Sequence, residues 1–127
     1  VWSICGDGGF QMTMMELATA AENNLPIKYA ILNNNHLGMI TQWQTFFYNE
    51  DYQAETYTNN PDFVKLAEAY GIKGIRVTTQ DELESGIAEA NAHDGPVVVD
   101  FVIEKVDDLY PMIPAGQSVQ ELIEDPN

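Results

Sequence analysis

Ile27-Lys28-Tyr29-Ala30-Ile31-Leu32-Asn33-Asn34-Asn35 is a mostly apolar run that stops at three asparagines. Six residues are too few for a helix of ordinary length and suit a strand buried on both faces. A second such strand lies upstream, in residues 1–5, and ends at Gly6-Asp7-Gly8-Gly9. Two more lie downstream, in residues 74–78 and, as a near-continuous apolar run, in residues 97–103. Helix signals fall between them. Thr13-Met14-Met15-Glu16, Thr79-Gln80-Asp81-Glu82 and Ser118-Val119-Gln120-Glu121 each have the spacing of a capping box, in which hydroxyl and carboxylate satisfy first-turn amides. Met14, Leu17, Ala18 and Ala21 follow helical periodicity, as do Phe63, Leu66, Ala67 and Tyr70. Asn60-Pro61-Asp62 reads as a helix start with Asn60 as cap, and Gly71 as its stop. A short helix is expected over residues 37–47, and a surface loop over residues 48–60.

Strands alternating with helices predict an α/β fold, a parallel sheet with right-handed crossovers and helices on both faces. Residues 1–104 are expected to form this domain and residues 105–127 a tail with a short helix. The chain opens on Val1 inside an apolar run, so the domain is read as truncated at its N-terminus, a piece of something longer.

The 127 residues carry five basic and twenty acidic side chains, a net charge of −15. Twelve of the acids fall in residues 81–127, with Lys105 as the single base there. This balance argues against a nucleic-acid partner or an anionic membrane surface, since both are held by Lys and Arg. No apolar run approaches the roughly 18 residues of a membrane span. One cysteine excludes an internal disulfide framework and an all-cysteine zinc site. Cys5 reads as a small buried strand residue rather than a nucleophile, and His93 as a residue near a helix end with no required function.

In parallel sheets ligands bind beyond the carboxyl ends of the strands. Gly6-Asp7-Gly8-Gly9 and Asn33-Asn34-Asn35 both occupy such ends and should face one side of the domain. Glycines allow close approach of a phosphate to the backbone, and a helix start adds free amides. Asp7 and Asn34, 27 positions apart, each offer a hard oxygen. That interval fits one strand–helix–strand crossover, and such ligands suit Mg²⁺ shared with phosphate oxygens. The residues themselves thus point to a diphosphate held through Mg²⁺. Taken singly, each loop is equally a plain turn, and Met39 with Trp43 equally a core stripe.

Gly-Asp-Gly followed after 25–30 residues by Asn-Asn resembles the thiamine-diphosphate motif. The run Leu32-Asn33-Asn34-Asn35-His36-Leu37-Gly38-Met39-Ile40-Thr41-Gln42-Trp43-Gln44 resembles the large catalytic subunit of acetohydroxyacid synthase (acetolactate synthase). So do Phe10-Gln11-Met12-Thr13, Asn60-Pro61-Asp62-Phe63 and the tail around Pro111-Met112-Ile113-Pro114-Ala115-Gly116. The likeness spans essentially the whole chain, and the Gly-Met-x-x-Gln-Trp-Gln run is its most specific part.

The resemblance implies a transferase of branched-chain amino acid biosynthesis. It would condense pyruvate with pyruvate or 2-oxobutanoate, losing CO₂. By similarity, Asp7, the Asn34 side chain and the His36 carbonyl are Mg²⁺ ligands. Gly6, Gly8 and Gly9 meet the diphosphate, and Leu37, Gly38, Met39 and Ile40 form the cofactor wall. Met39 and Trp43 shape the pocket for the second 2-oxo acid, and Trp43 matches a contact of the family's herbicides. The family's catalytic Glu lies outside these residues, on a neighbouring subunit, so no catalytic residue is assigned here.

Also implied are missing N-terminal and middle domains, FAD in the whole protein, a homo-oligomeric arrangement with a second catalytic subunit, a small regulatory subunit, and a cytoplasmic location. The 127-residue chain alone is expected to show no turnover. The alternatives are another thiamine-diphosphate enzyme, of pyruvate oxidase or glyoxylate carboligase type, and a non-catalytic phosphate-binding flavodoxin-like module.

Overall fold

The computed structural model describes residues 1–54, 60–105 and 108–125. Residues 55–59 of the expected 48–60 loop lie outside them. Four strands, β1 (Trp2–Gly6), β2 (Lys28–Asn33), β3 (Lys73–Val77) and β4 (Val97–Val102), form one parallel sheet in the order β1-β2-β4-β3. The helices are α1 (Asp7–Thr13), α2 (Leu17–Glu22), α3 (Gly38–Phe47), α4 (Phe63–Ala69) and α5 (Leu83–Ala92). Short 3₁₀ turns cover Met14–Glu16, Gln80–Glu82 and Val119–Glu121. The α/β fold with a parallel sheet is the one expected. Among the described residues no helix is long and apolar enough to cross a membrane.

The chain divides into two compact units. The first, Val1–His36 with Thr56–Lys105, holds the sheet. Alternation along the strands splits its core in two. Ile31 and Val98 face Phe10, Leu17, Phe63, Ala67 and Ile72 beneath α1, α2 and α4. Ala30, Val97, Val99 and Phe101 face Ala90, with Leu83 and Ile87 of α5 packed against them. Full burial of a side chain such as Phe63 or Leu17 stabilises by about 1.5–3 kcal/mol. On the α5 face the β1 side of the sheet remains open. A hollow of about 800 Å³ there is lined by Trp2, Ile4, Leu32 and Val102, among others, and Ile4 is 71% exposed.

The second unit, Leu37–Glu55 with Val106–Asn127, contains α3 and the tail. The Gln42 side chain pairs with the Leu109 backbone, giving Nε2 to its carbonyl at 2.8 Å and accepting its amide at 3.1 Å. Phe46 lies against Tyr110, with ring centroids 5.8 Å apart. Met112 and Ile123 form an antiparallel bridge.

Several local expectations fail. The strand β1, read as buried, leaves Ser3 and Ile4 exposed, and the stretch after it is not a free loop, since α1 begins at Asp7. Thr13 does not cap a helix start: the chain is helical from Asp7, Thr13 closes α1, and its hydroxyl makes no cap bond. Asn60 does not cap α4. Asp62 does, accepting the amides of Val64 and Lys65 at 3.2 Å each. Asp can cap as well as Asn, and the Asn60 amide is committed elsewhere. The Thr79 and Ser118 capping boxes form as expected, and Gly71 stops α4 at φ +72°.

Candidate cofactor and metal site

β1 pairs with β2 so that Gly6 stands opposite Leu32. Asp7 is therefore one residue, and Asn34 two residues, beyond the last paired position of adjacent strands. Neighbouring strands lie about 4.8 Å apart, so both loops open on one end of the sheet. Gly6 is extended at φ −76°, ψ 163°, and α1 begins at once with Asp7. First-turn amides have no acceptor within their own helix. The amide of Gly8 bonds the Asp7 carboxylate, donating to Oδ1 at 3.0 Å. Gly9 is exposed, and a Cβ built on it would meet nothing within 4 Å, so its backbone is open to a ligand.

Asp7 is 1% exposed. Its Oδ2 accepts the Asn60 Nδ2 at 2.6 Å. A carboxylate offers about four lone-pair sites, so these two bonds leave it acceptor capacity for a cation. At the end of β2, Asn34 Oδ1 accepts the His36 amide at 3.1 Å and Asn33 Oδ1 accepts the Asn35 amide at 3.3 Å. Asn35 is left-handed, at φ +54°, a conformation Asn tolerates. The loop is thus folded on its own side chains, and His36 within it is buried.

Among the described residues no three His, Cys, Asp or Glu side chains cluster as a metal site. A cation here would rest on one carboxylate with amide and carbonyl oxygens. That all-oxygen set fits Mg²⁺, which takes few protein ligands and keeps phosphate and water oxygens.

Leu37, Gly38, Met39, Ile40 and Trp43 belong to the second unit. The buried residues of α3 are Thr41 and Gln42, whereas Met39 is 50%, Ile40 44% and Trp43 37% exposed. A plain core stripe at Met39 and Trp43 is therefore not what the chain builds. Trp43 meets Phe47 edge to face, with centroids 5.6 Å apart. Cys5 is a partly buried strand residue, and burial pushes its thiol up, away from nucleophile chemistry.

A run of polar contacts leading away from Asp7 escapes the sequence reading, in which Asn60 is a helix cap and Asn33 part of a turn. Asn60 also donates to Asn33 Oδ1 at 3.1 Å, and Asn33 Nδ2 donates to Asp100 Oδ1 at 2.9 Å. Arg76 gives Nε to Asp100 Oδ2 at 3.1 Å and a terminal nitrogen to Asp62 Oδ1 at 2.6 Å. Burial opposes the Arg76 charge, yet its bonds to Asp62 and Asp100 outweigh that and raise its pKa. The signal available was Asp100 itself, a lone acid in the run Val97-Val98-Val99-Asp100-Phe101-Val102. A buried carboxylate needs partners, and polar residues at neighbouring strand ends are where to seek them.

The family model described as "Thiamine pyrophosphate enzyme, C-terminal TPP binding domain" matches residues 1–101. The chain is 46% identical over 127 residues to an acetolactate synthase of Mycobacterium bovis, covering 96% of this chain and 21% of that protein. It is 40% identical over 121 residues to the acetolactate synthase isozyme 2 large subunit of Escherichia coli, covering 95% and 22%. It is 43% identical over 123 residues to the mitochondrial acetolactate synthase catalytic subunit of Saccharomyces cerevisiae, covering 97% and 18%. The chain thus spans about a fifth of the length of these relatives. With the parallel sheet and its paired strand-end loops, these matches establish that the chain belongs to the thiamine pyrophosphate enzymes, as a C-terminal TPP-binding domain.

Proposed function

We propose that this chain is the diphosphate- and Mg²⁺-anchoring part of an acetolactate synthase that joins pyruvate to pyruvate or to 2-oxobutanoate with loss of CO₂. One observation carries the reading: Gly6–Gly9 and the Asn33–His36 loop stand side by side at the carboxyl ends of paired parallel strands. The similarity to named acetolactate synthases supports the choice of reaction. Asp7, Asn34 Oδ1 and the His36 carbonyl would hold Mg²⁺, and the Gly8 and Gly9 backbone would approach the diphosphate. Thiamine diphosphate, once bound, supplies the acidic carbon and electron sink that decarboxylation of a 2-oxo acid requires. The exposed apolar face of Met39, Ile40 and Trp43 is suited to line a dry pocket for cofactor and acceptor. FAD, a second catalytic subunit, a regulatory subunit and a cytoplasmic location belong to the same proposal for the whole protein.

A product assay on the whole protein tests it. With pyruvate, thiamine diphosphate and Mg²⁺ the expected product is 2-acetolactate, and added 2-oxobutanoate should divert it to 2-aceto-2-hydroxybutanoate. The 127-residue chain under the same conditions should give neither. Acetyl phosphate or tartronate semialdehyde as the main product of the appropriate substrates would replace this reading with an oxidase or a glyoxylate carboligase.

A further inference from the structure

Asn60 precedes α4 but its side chain turns to the candidate metal carboxylate. Its Nδ2 reaches Asp7 Oδ2 at 2.6 Å and Asn33 Oδ1 at 3.1 Å, and its Oδ1 accepts Gln11 Nε2 at 3.0 Å. The same Gln11 nitrogen lies 3.3 Å from the Asp7 carbonyl. Only one orientation of the Asn60 amide allows these bonds. Reversed, its oxygen would face two acceptors and its nitrogen would face the Gln11 donor. Behind Asn33 stand Asp100, 1% exposed, and then Arg76.

We infer that Asn60 is a positioning residue for Asp7, fixing the carboxylate for a cation, and that Gln11 orients Asn60. The inference rests on the reading of Asp7 as a Mg²⁺ ligand. Mg²⁺ demands near-ideal octahedral geometry, so a carboxylate free to turn binds it less well. Hydrogen-bond partners behind a metal ligand commonly set affinity by 10–100-fold. Burial of Asp7 strengthens the hold, because water competes little for its oxygens. A neutral amide also adds no second negative charge beside the carboxylate.

The test titrates Mg²⁺ against thiamine diphosphate binding to the whole protein, with the unfolding midpoint measured separately in metal-free buffer. Asn60→Ala should raise the half-saturating Mg²⁺ about tenfold, and excess Mg²⁺ should restore binding. Gln11→Ala, at a helical site where Ala is well tolerated, should shift it the same way by about threefold. Gln11→Ala decides the matter if Asn60→Ala does not fold. A lower metal-free midpoint with unchanged half-saturating Mg²⁺ would mean a structural role only and would overturn the inference. Asp7→Ala separates the two claims. If it abolishes Mg²⁺-dependent binding while Asn60→Ala and Gln11→Ala leave it unchanged, the Asn60 role alone falls. If Asp7→Ala leaves Mg²⁺ dependence intact, the metal reading falls and takes this inference with it.

Discussion

Asp62 sits where backbone and side-chain chemistry meet. The Lys65 amide holds its carboxyl below the usual carboxylate range, Arg76 adds to this, and burial opposes it to a lesser degree than the amide. Glu82 is lowered too, first by the Thr78 amide and hydroxyl and then by the Thr79 amide and hydroxyl, again against burial. A carboxylate whose pKa falls on folding adds stability above its unfolded pKa, which is lost as pH drops through the folded value. The thermal midpoint should therefore fall as pH is lowered through and below about 4, and Asp62→Asn or Glu82→Gln should make that fall shallower. Unchanged pH profiles would contradict the assignment. At this scale the sequence placed Asp7 and Asn34 at strand ends, where the fold also has them, because the apolar runs stop just before each. It concealed Asn60, whose cap-like neighbourhood gave no hint that its amide reaches 53 positions back to Asp7. Residue type tells what a side chain can bond, not which distant partner the fold brings to it.

The elements repeat this lesson. Three capping-box patterns are present, and two form. The third fails because the preceding helix already runs through Thr13. Gly8 and Gly9 have poor helix propensity, so their stretch reads as a loop although the chain turns directly from β1 into α1. In α3 the apolar Met39, Ile40 and Trp43 stay exposed while Thr41 and Gln42 are buried, opposite to the usual helix stripe. Local propensity loses at α1, which begins within the candidate site, a common place for sequence rules to break. Packing of α4 on β3 is tighter than either element's sequence shows. A Cβ on Gly74 would lie 2.8 Å from Val64 Cγ1 and 2.9 Å from its Cα and carbonyl oxygen. Backbone cannot yield as a side-chain end can. Gly74→Ala should destabilise by about 1–3 kcal/mol, measured by denaturant unfolding. A neutral or stabilising result would show that α4 can shift outward at little cost.

For the molecule as a whole, charge and ligand are at odds. The chain carries −15, and the proposed cofactor presents a diphosphate. Bound cation and backbone amides must supply the local positive potential, since Arg76, the basic residue linked to this end of the sheet, is already paired with Asp62 and Asp100. The parallel α/β sheet was legible from the alternation of strands with helices and from the apolar runs of β2 and β4, whereas the strand order was not, because nothing local says which strands become neighbours. The open stretch of sheet beside β1, with Ile4 and Leu32 exposed, was not legible either, because apolar strand residues look alike whether covered or bare. The central claim is that Asp7 anchors the cofactor through Mg²⁺. Calorimetric titration of thiamine diphosphate into the whole protein, with and without Mg²⁺, tests it for wild type and for Asp7→Ala. The account predicts binding by wild type only when Mg²⁺ is present and none by Asp7→Ala in either condition. Equal binding with and without Mg²⁺, or undiminished Mg²⁺-dependent binding by Asp7→Ala, would contradict it.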